Sequence, residues 1–236
     1  MSLPKIAKVT HELTIPSTGK KIKYRPFLVK EEKVLILAQE SGAQLEQVRA
    51  IKDVIEACVQ TRGFKVDDLA TFDIEYIFLN IRGTSVGGDV ELVITCPDDG
   101  ETKVEVQVFL DEIQVEFDDD HSDTVTIDSE YSIKMKYPSM EMVMATDVDS
   151  VSVEQSLELI AGCIDQIYTE EESWAGSDST QEELIAWLEE LEPKHFQTIE
   201  KFFSTMPKLS HTIEVLNPKT GVKNEIVLEG LGSFFA

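Results

Sequence analysis

Two stretches near the middle of the chain alternate apolar and polar residues with a period of two: Val90-Glu-Leu-Val-Ile-Thr95 and Lys103-Val-Glu-Val-Gln-Val108, on either side of Cys96-Pro-Asp-Asp-Gly100. Alternation on both arms, a proline that fixes φ and a glycine for the left-handed position predict a β-hairpin. The device recurs late in the chain, where Thr212-Ile-Glu-Val-Leu216 and Asn224-Glu-Ile-Val-Leu228 flank Asn217-Pro-Lys-Thr-Gly221. A looser copy, Leu13-Thr-Ile-Pro-Ser-Thr-Gly19, stands near the start, between strands expected at 12–15 and 20–24.

Between the hairpins the period changes to that of helices. A helix opens at Lys30 and stops at Gly42. A second, over about 44–61, carries Leu45, Val48, Ile51, Ile55, Cys58 and Val59 on one face, and a third, over about 67–82, carries Leu69, Phe72, Tyr76 and Leu79. In the second half, Tyr131-Ser-Ile-Lys-Met-Lys-Tyr137 reads as a strand ended by Pro138, and Met140, Met142, Val143 and Met144 as a short helix of core filler. Ser152 with Gln155 forms a capping box for a helix expected to run through Tyr168, and Thr180 with Glu183 forms another for a helix burying Leu184, Trp187, Leu188 and Leu191. Pro193 opens a last helix with Phe196, Ile199, Phe202 and Phe203 inward.

Set side by side, the two halves follow one plan: a strand ended by proline, a helix with a cysteine, an aromatic helix, then a hairpin. Tyr24-Arg-Pro26 faces Lys136-Tyr-Pro138, Ile55-Glu-Ala-Cys-Val59 faces Ile160-Ala-Gly-Cys-Ile164, and Cys96-Pro faces Asn217-Pro. The expectation is an α+β fold of two similar lobes from a degenerate internal duplication, 1–118 and 124–236, each with helices packed on a small antiparallel hairpin sheet. An acidic insertion falls near 169–183, and the turn-prone Phe117-Asp-Asp-Asp-His-Ser-Asp123 reads as a solvated linker. A calcium loop there lacks the glycine and distal glutamate of an EF-hand.

Charge narrows the function. Forty-five acidic against twenty-one basic residues give −24, which opposes nucleic acid and anionic membranes as partners. No stretch approaches the roughly 20 apolar residues of a membrane span, and the start lacks the apolar run of a signal peptide. Cys58, Cys96 and Cys163 cannot all pair, so they read as reduced thiols. The scarce positive charge gathers at Lys20, Lys21, Lys23, Arg25, Lys30 and Lys33, either to dock an acidic partner or another copy, or to neutralise the protein's own acids.

Chemistry is sparse. The four histidines have no ligand spacing, and there is no phosphate-cradling loop or nucleophile elbow. The Cys96–Gly100 turn is similar to a zinc-ribbon knuckle with Asp99 where the second cysteine would stand, and one thiolate does not hold a structural zinc. Asp98, Asp99 and Glu101 offer acid–base chemistry to a hydrolase reading, against the plainer one of a solvated hairpin tip. No catalytic residue, metal or cofactor is expected. Phe234 and Phe235 close the chain after Gly230 and Gly232, either folded back on the second lobe or docked on a partner.

The opening Met1-Ser-Leu-Pro-Lys-Ile-Ala-Lys8, the run Lys23-Tyr-Arg-Pro-Phe-Leu-Val-Lys-Glu-Glu-Lys33 and the closing Leu228-Glu-Gly-Leu-Gly-Ser-Phe-Phe235 resemble the baseplate hub assembly proteins of T4-like tailed bacteriophages. The resemblance implies a non-enzymatic factor that binds hub proteins during tail assembly in the host cytoplasm, or a hub subunit kept in the virion tail. It implies other hub or tail proteins, or a second copy of the chain, as partners, and it brings no catalytic residues. The residues favoured for partner binding are Lys21, Lys23, Arg25, Trp174, Phe234 and Phe235.

Overall fold

The structure, a computed structural model, describes residues 9–145 and 152–235. It is α+β, and the chain divides into two compact units, 1–116 with 208–236, and 117–207. The first break lies at the expected acidic boundary. The last hairpin, however, joins the first unit rather than the second, so lobes of 1–118 and 124–236 are not what the chain builds. The cause is a strand that the pattern did not announce: Gln114–Glu116 pairs antiparallel with Lys208–Ser210 and ties the end of the chain to its beginning.

In the first unit β1 (His11–Thr14) and β2 (Lys21–Tyr24) form the first hairpin, followed by α1 (Val29–Ser41) and α2 (Gln44–Cys58). Helix α2 stops short of the expected Thr61 because Val59 leaves it to bridge Tyr24 and Gln60 donates its N–H to Lys23 O. The third helix, α3 (Thr71–Val86), runs past Gly83, where a Cβ would meet Leu110 only at ordinary van der Waals distance. It buries Phe72, Ile74, Ile77, Phe78, Leu79 and Ile81, residues spread around the helix rather than along one stripe, and so it is packed from several sides. Its neighbours are α2, β5 (Gln114–Glu116), β10 (Lys208–Leu216) and α8 (Gly230–Phe235). Strands β3 (Asp89–Thr95) and β4 (Lys103–Phe109) form the expected central hairpin, and β11 (Lys223–Glu229), β10 and β5 form a three-stranded sheet.

The end of the chain is helical, not extended. Gly230, at φ 67°, turns the chain into α8, Leu231 is buried, and the Leu231 N–H donates to Glu75 Oε1 at 3.2 Å. The segment therefore packs back on the first unit, against α3, β3, β10 and β11. Burial pushes the Glu75 carboxyl up to about 7, against the Leu231 N–H, which favours its charged form. A carboxyl raised in the folded state stabilises the fold below its unfolded value, and that contribution is lost as pH rises through about 7. Glu75→Gln is thus expected to match the parent near pH 4 and exceed it by up to about 3 kcal/mol above pH 8, read from urea melts across that range.

The second unit carries a four-stranded antiparallel sheet in the order β6 (Thr124–Thr126), β7 (Ser132–Met135), β8 (Ile164–Tyr168), β9 (Ser173–Ala175). Between β7 and β8 lie α4 (Met140–Ala145) and α5 (Val153–Gly162), the latter opened by the Ser152–Gln155 box. Met140 is buried and Met142 packs against the core; Met144's side chain lies outside the described residues. The helix expected to reach Tyr168 ends at Gly162, and Ile164–Tyr168 is a strand instead. Helices α6 (Gln181–Glu189) and α7 (Pro193–Ser204) start at the expected cap and proline.

Ile133, Ile160, Cys163, Ile164, Leu188, Ile199 and Phe202 centre the core of this unit. The acidic boundary is not simply solvated, because His121 stacks 5.6 Å from Tyr137, lies tilted 5.2 Å from Phe202, and bonds Thr205 Oγ1 at 2.9 Å.

One arrangement occurs in both units. A β-hairpin leads into two helices, the second ends at a buried cysteine, and the chain returns to pair with the hairpin: Val59 with Tyr24 after Cys58, Ile164 with Met135 after Cys163. The Arg25 N–H donates to Cys58 O at 3.1 Å and the Lys136 N–H to Cys163 O at 2.8 Å. Burial pushes the Cys163 thiol up to about 12, and all three cysteines are buried and unbridged.

Candidate functional site

The three proline turns share one geometry. In the first, Gly19 N–H donates to Ile15 O at 2.8 Å and Ile15 N–H to Lys20 O at 2.9 Å; Gly100 with Cys96, and Gly221 with Asn217, repeat the closing bond at 2.9 Å each. The glycines take φ of 66°, 68° and 74°, the left-handed values the pattern required. Each turn begins with a buried residue: Ile15, Cys96 and Asn217.

The second and third turns meet within the first unit, and what joins them is a polar clasp. Asn217 Nδ2 donates to both Asp98 oxygens at 2.9 and 3.1 Å, Asn224 Nδ2 to Oδ1 at 2.9 Å, and Thr220 Oγ1 to Oδ2 at 2.5 Å. Asn217 Oδ1 accepts from the Lys219 N–H at 2.8 Å, so its amide is engaged at both ends. Asp99 closes its own turn by accepting from Thr102 N at 3.0 Å and Thr102 Oγ1 at 2.7 Å, while Lys219 Nζ reaches Glu101 at 3.0 Å and Asp99 at 3.6 Å. Hydrogen bonds from Asn217 and Thr220 hold Asp98 below the usual carboxylate range, and those from Thr102 and Glu101 do the same for Asp99. The carboxylates are therefore not a free solvated tip. The signal for this pairing was in the sequence, where Asn217 occupies the place of Cys96. Among the described residues no group of three or more His, Cys, Asp or Glu side chains could hold a metal ion.

The favoured binding residues fare unequally. Lys21 is exposed on β2, and Lys23 is exposed and 3.4 Å from Glu12. Arg25 is a correction: its side chain is only 7% exposed, and its guanidinium bonds Glu31 Oε1 at 3.0 Å, Pro26 O at 2.9 Å and Ala57 O at 2.8 Å. The cationic stripe read from alternation ends at Lys23, because Arg25 lies past the last residue of the strand, Tyr24, and is drawn to Glu31 of α1. The side chains of Phe234 and Phe235 lie outside the described residues.

Trp174 is 44% exposed on β9, at the open edge of the second unit's sheet. It belongs to a cross-strand row, Val125, Ile133, Ile167, Trp174, whose first three members are buried. Tyr131, Ile167, Leu184 and Trp187 line a groove of about 300 Å³ with it, and Glu130, Glu170, Glu171 and Glu172 line an adjoining one of about 450 Å³. Tyr131, Trp187 and the glutamates were not singled out with Trp174 from the sequence, because the segment read as a loop and a loop has no faces to compare.

No helix among the described residues is long and apolar enough to cross a membrane. Searches of curated proteins and of solved structures return no significant match. The family model described as "T4 bacteriophage base plate protein" matches residues 7–236, a span that includes both units and both proline turns of the clasp. The chain belongs to that family of T4-type baseplate proteins.

Proposed function

We propose that the chain is a non-enzymatic assembly factor that binds hub proteins of the tail baseplate in the host cytoplasm. The family match over residues 7–236 carries this reading. Two features support it. A charge of −24 keeps copies of the chain apart while they wait for partners. The carboxylates that a hydrolase reading would use, Asp98 and Asp99, have their oxygens taken up by Asn217, Asn224, Thr220 and Thr102. The family's own description, a base plate protein, equally suits a subunit retained in the hub.

Quantitative mass spectrometry of purified virions separates the two. An assembly factor is expected at no more than trace copy number in virions while co-purifying with hub proteins from infected cells; a copy number in fixed ratio to the hub proteins makes it a structural subunit.

A further inference from the structure

We propose that the Trp174 edge of residues 117–207 is a docking surface for an arginine-bearing segment of a partner protein. This deepens the assembly reading and rests on it for the partner's identity. Three observations lead there. Trp174 ends a row of core residues at a sheet edge that no further strand covers among the described residues, and its indole lines an open groove together with Tyr131, Leu184 and Trp187. An adjoining groove, also lined by Trp174 and Tyr131, takes Glu170, Glu171 and Glu172 from the turn between β8 and β9 and Glu130 from the segment before Tyr131. Among the described residues none of these four glutamates has an ion-pair partner, whereas Glu12, Glu31, Glu192, Glu214 and Glu229 each face a lysine.

The chemistry that fits this arrangement is a planar cation. A guanidinium stacks on indole and phenol faces and keeps its edge donors free for carboxylates, which an ammonium does less well. The surplus of acid selects against two other occupants. Phosphate-bearing polymers are repelled, and a second copy of this chain brings −24 of its own, a repulsion that outweighs what its exposed Arg49 and Arg62 could offer.

The test uses the full chain and an acetylated, amidated hexapeptide, Gly-Arg-Leu-Arg-Leu-Gly, with a counterpart in which citrulline replaces both arginines. Titration calorimetry is expected to show binding that weakens as salt rises, and the citrulline peptide is expected to bind about tenfold more weakly. Trp174→Ala should lose about tenfold while Trp174→Tyr retains most of the affinity, and Glu170→Gln, Glu171→Gln and Glu172→Gln together should flatten the salt dependence. Melting temperatures within a degree or so of the parent show that these exposed changes leave the fold intact.

Equal binding of the citrulline peptide overturns the proposal, as does unchanged binding by Trp174→Ala. A concentration-dependent dimer abolished by Trp174→Ala assigns the edge to a second copy and overturns it too. The assembly reading is tested apart from it, by capture from infected cells. If Trp174→Ala loses the peptide yet still retains hub proteins, the docking assignment is overturned and the assembly role stands. If the parent binds the peptide and retains no hub protein, the assembly role falls and the cationic site stands.

Discussion

Replacing Arg25 by alanine is expected to destabilise the protein by about 3–5 kcal/mol, the usual consequence of removing one partner of a buried ion pair. The charge left behind is that of Glu31, whose side chain is 6% exposed and accepts from the Leu28 N–H at 2.7 Å as well as from Arg25. Burial alone would raise this carboxyl, but Arg25, Leu28 and Lys30 outweigh it and hold it at about 2. A total stability of about 5–15 kcal/mol is typical of a domain, so the loss would remove from about a fifth to all of it. Arg25→Lys is expected to recover only part of it, because one ammonium does not span Glu31, Pro26 O and Ala57 O as a guanidinium fork does. Arg25→Met with Glu31→Leu should cost far less than either truncation alone.

Urea melts and a double-mutant cycle over these two positions check the claim, and a loss below about 1 kcal/mol for Arg25→Ala would contradict it. The sign with pH is fixed as well. Glu31 is depressed in the fold, so its contribution is present above its unfolded value and fades as pH falls toward about 2.

The clasp carries the second large effect. Asn217 is wholly buried, and alanine there removes two donations to Asp98 and the acceptor for Lys219 N–H, leaving polar groups of both turns unpaired. The expected cost is about 3 kcal/mol. Asn217→Asp, nearly the same shape, should be at least as damaging, since it sets a second carboxylate against Asp98. If Asn217→Asp were tolerated and Asn217→Ala were not, shape would matter more than charge and the hydrogen-bond account would fail. Chelator treatment is a companion check. A fold held by this clasp keeps its melting temperature in the presence of chelator.

What could be read in advance follows a physical pattern. Period-two runs bounded by Pro-x-x-Gly gave every turn of the three hairpins, because the turn chemistry is local. Ser152, Thr180 and Pro193 marked their helix starts for the same reason. The misreadings came where two periods coincide. Ile160, Ile164 and Ile167 satisfy a helix at four-and-three spacing, and the same residues bury as a helix end followed by a β-branched strand. Only the pairing of Ile164 with Met135 and of Ile167 with Ile133 decides between them, and pairing is not local.

The placement of the last hairpin was missed for a similar reason. A three-residue strand, 114–116, carries almost no pattern of its own, yet its partner is 208–210. Of the favoured binding residues, Trp174 was visible as a large aromatic in a polar stretch. Arg25 was misjudged because alternation gives the side of a strand and is silent on what covers the chain after the strand ends.

The placement of 117–207 between the two pieces of the first unit bears on how the protein is made. A ribosome delivers β5 and then, for about 5–20 s at ordinary elongation rates, nothing that can pair with it. By the end of that interval the second unit is complete in one continuous stretch and free to fold as it emerges. The first unit must wait with Ile113 and the α3 face uncovered until Leu209 and Ile213 arrive. A nascent chain can therefore present its Trp174 edge before its clasp exists, and any partner that reads the clasp side recognises only chains whose synthesis has passed Asn224.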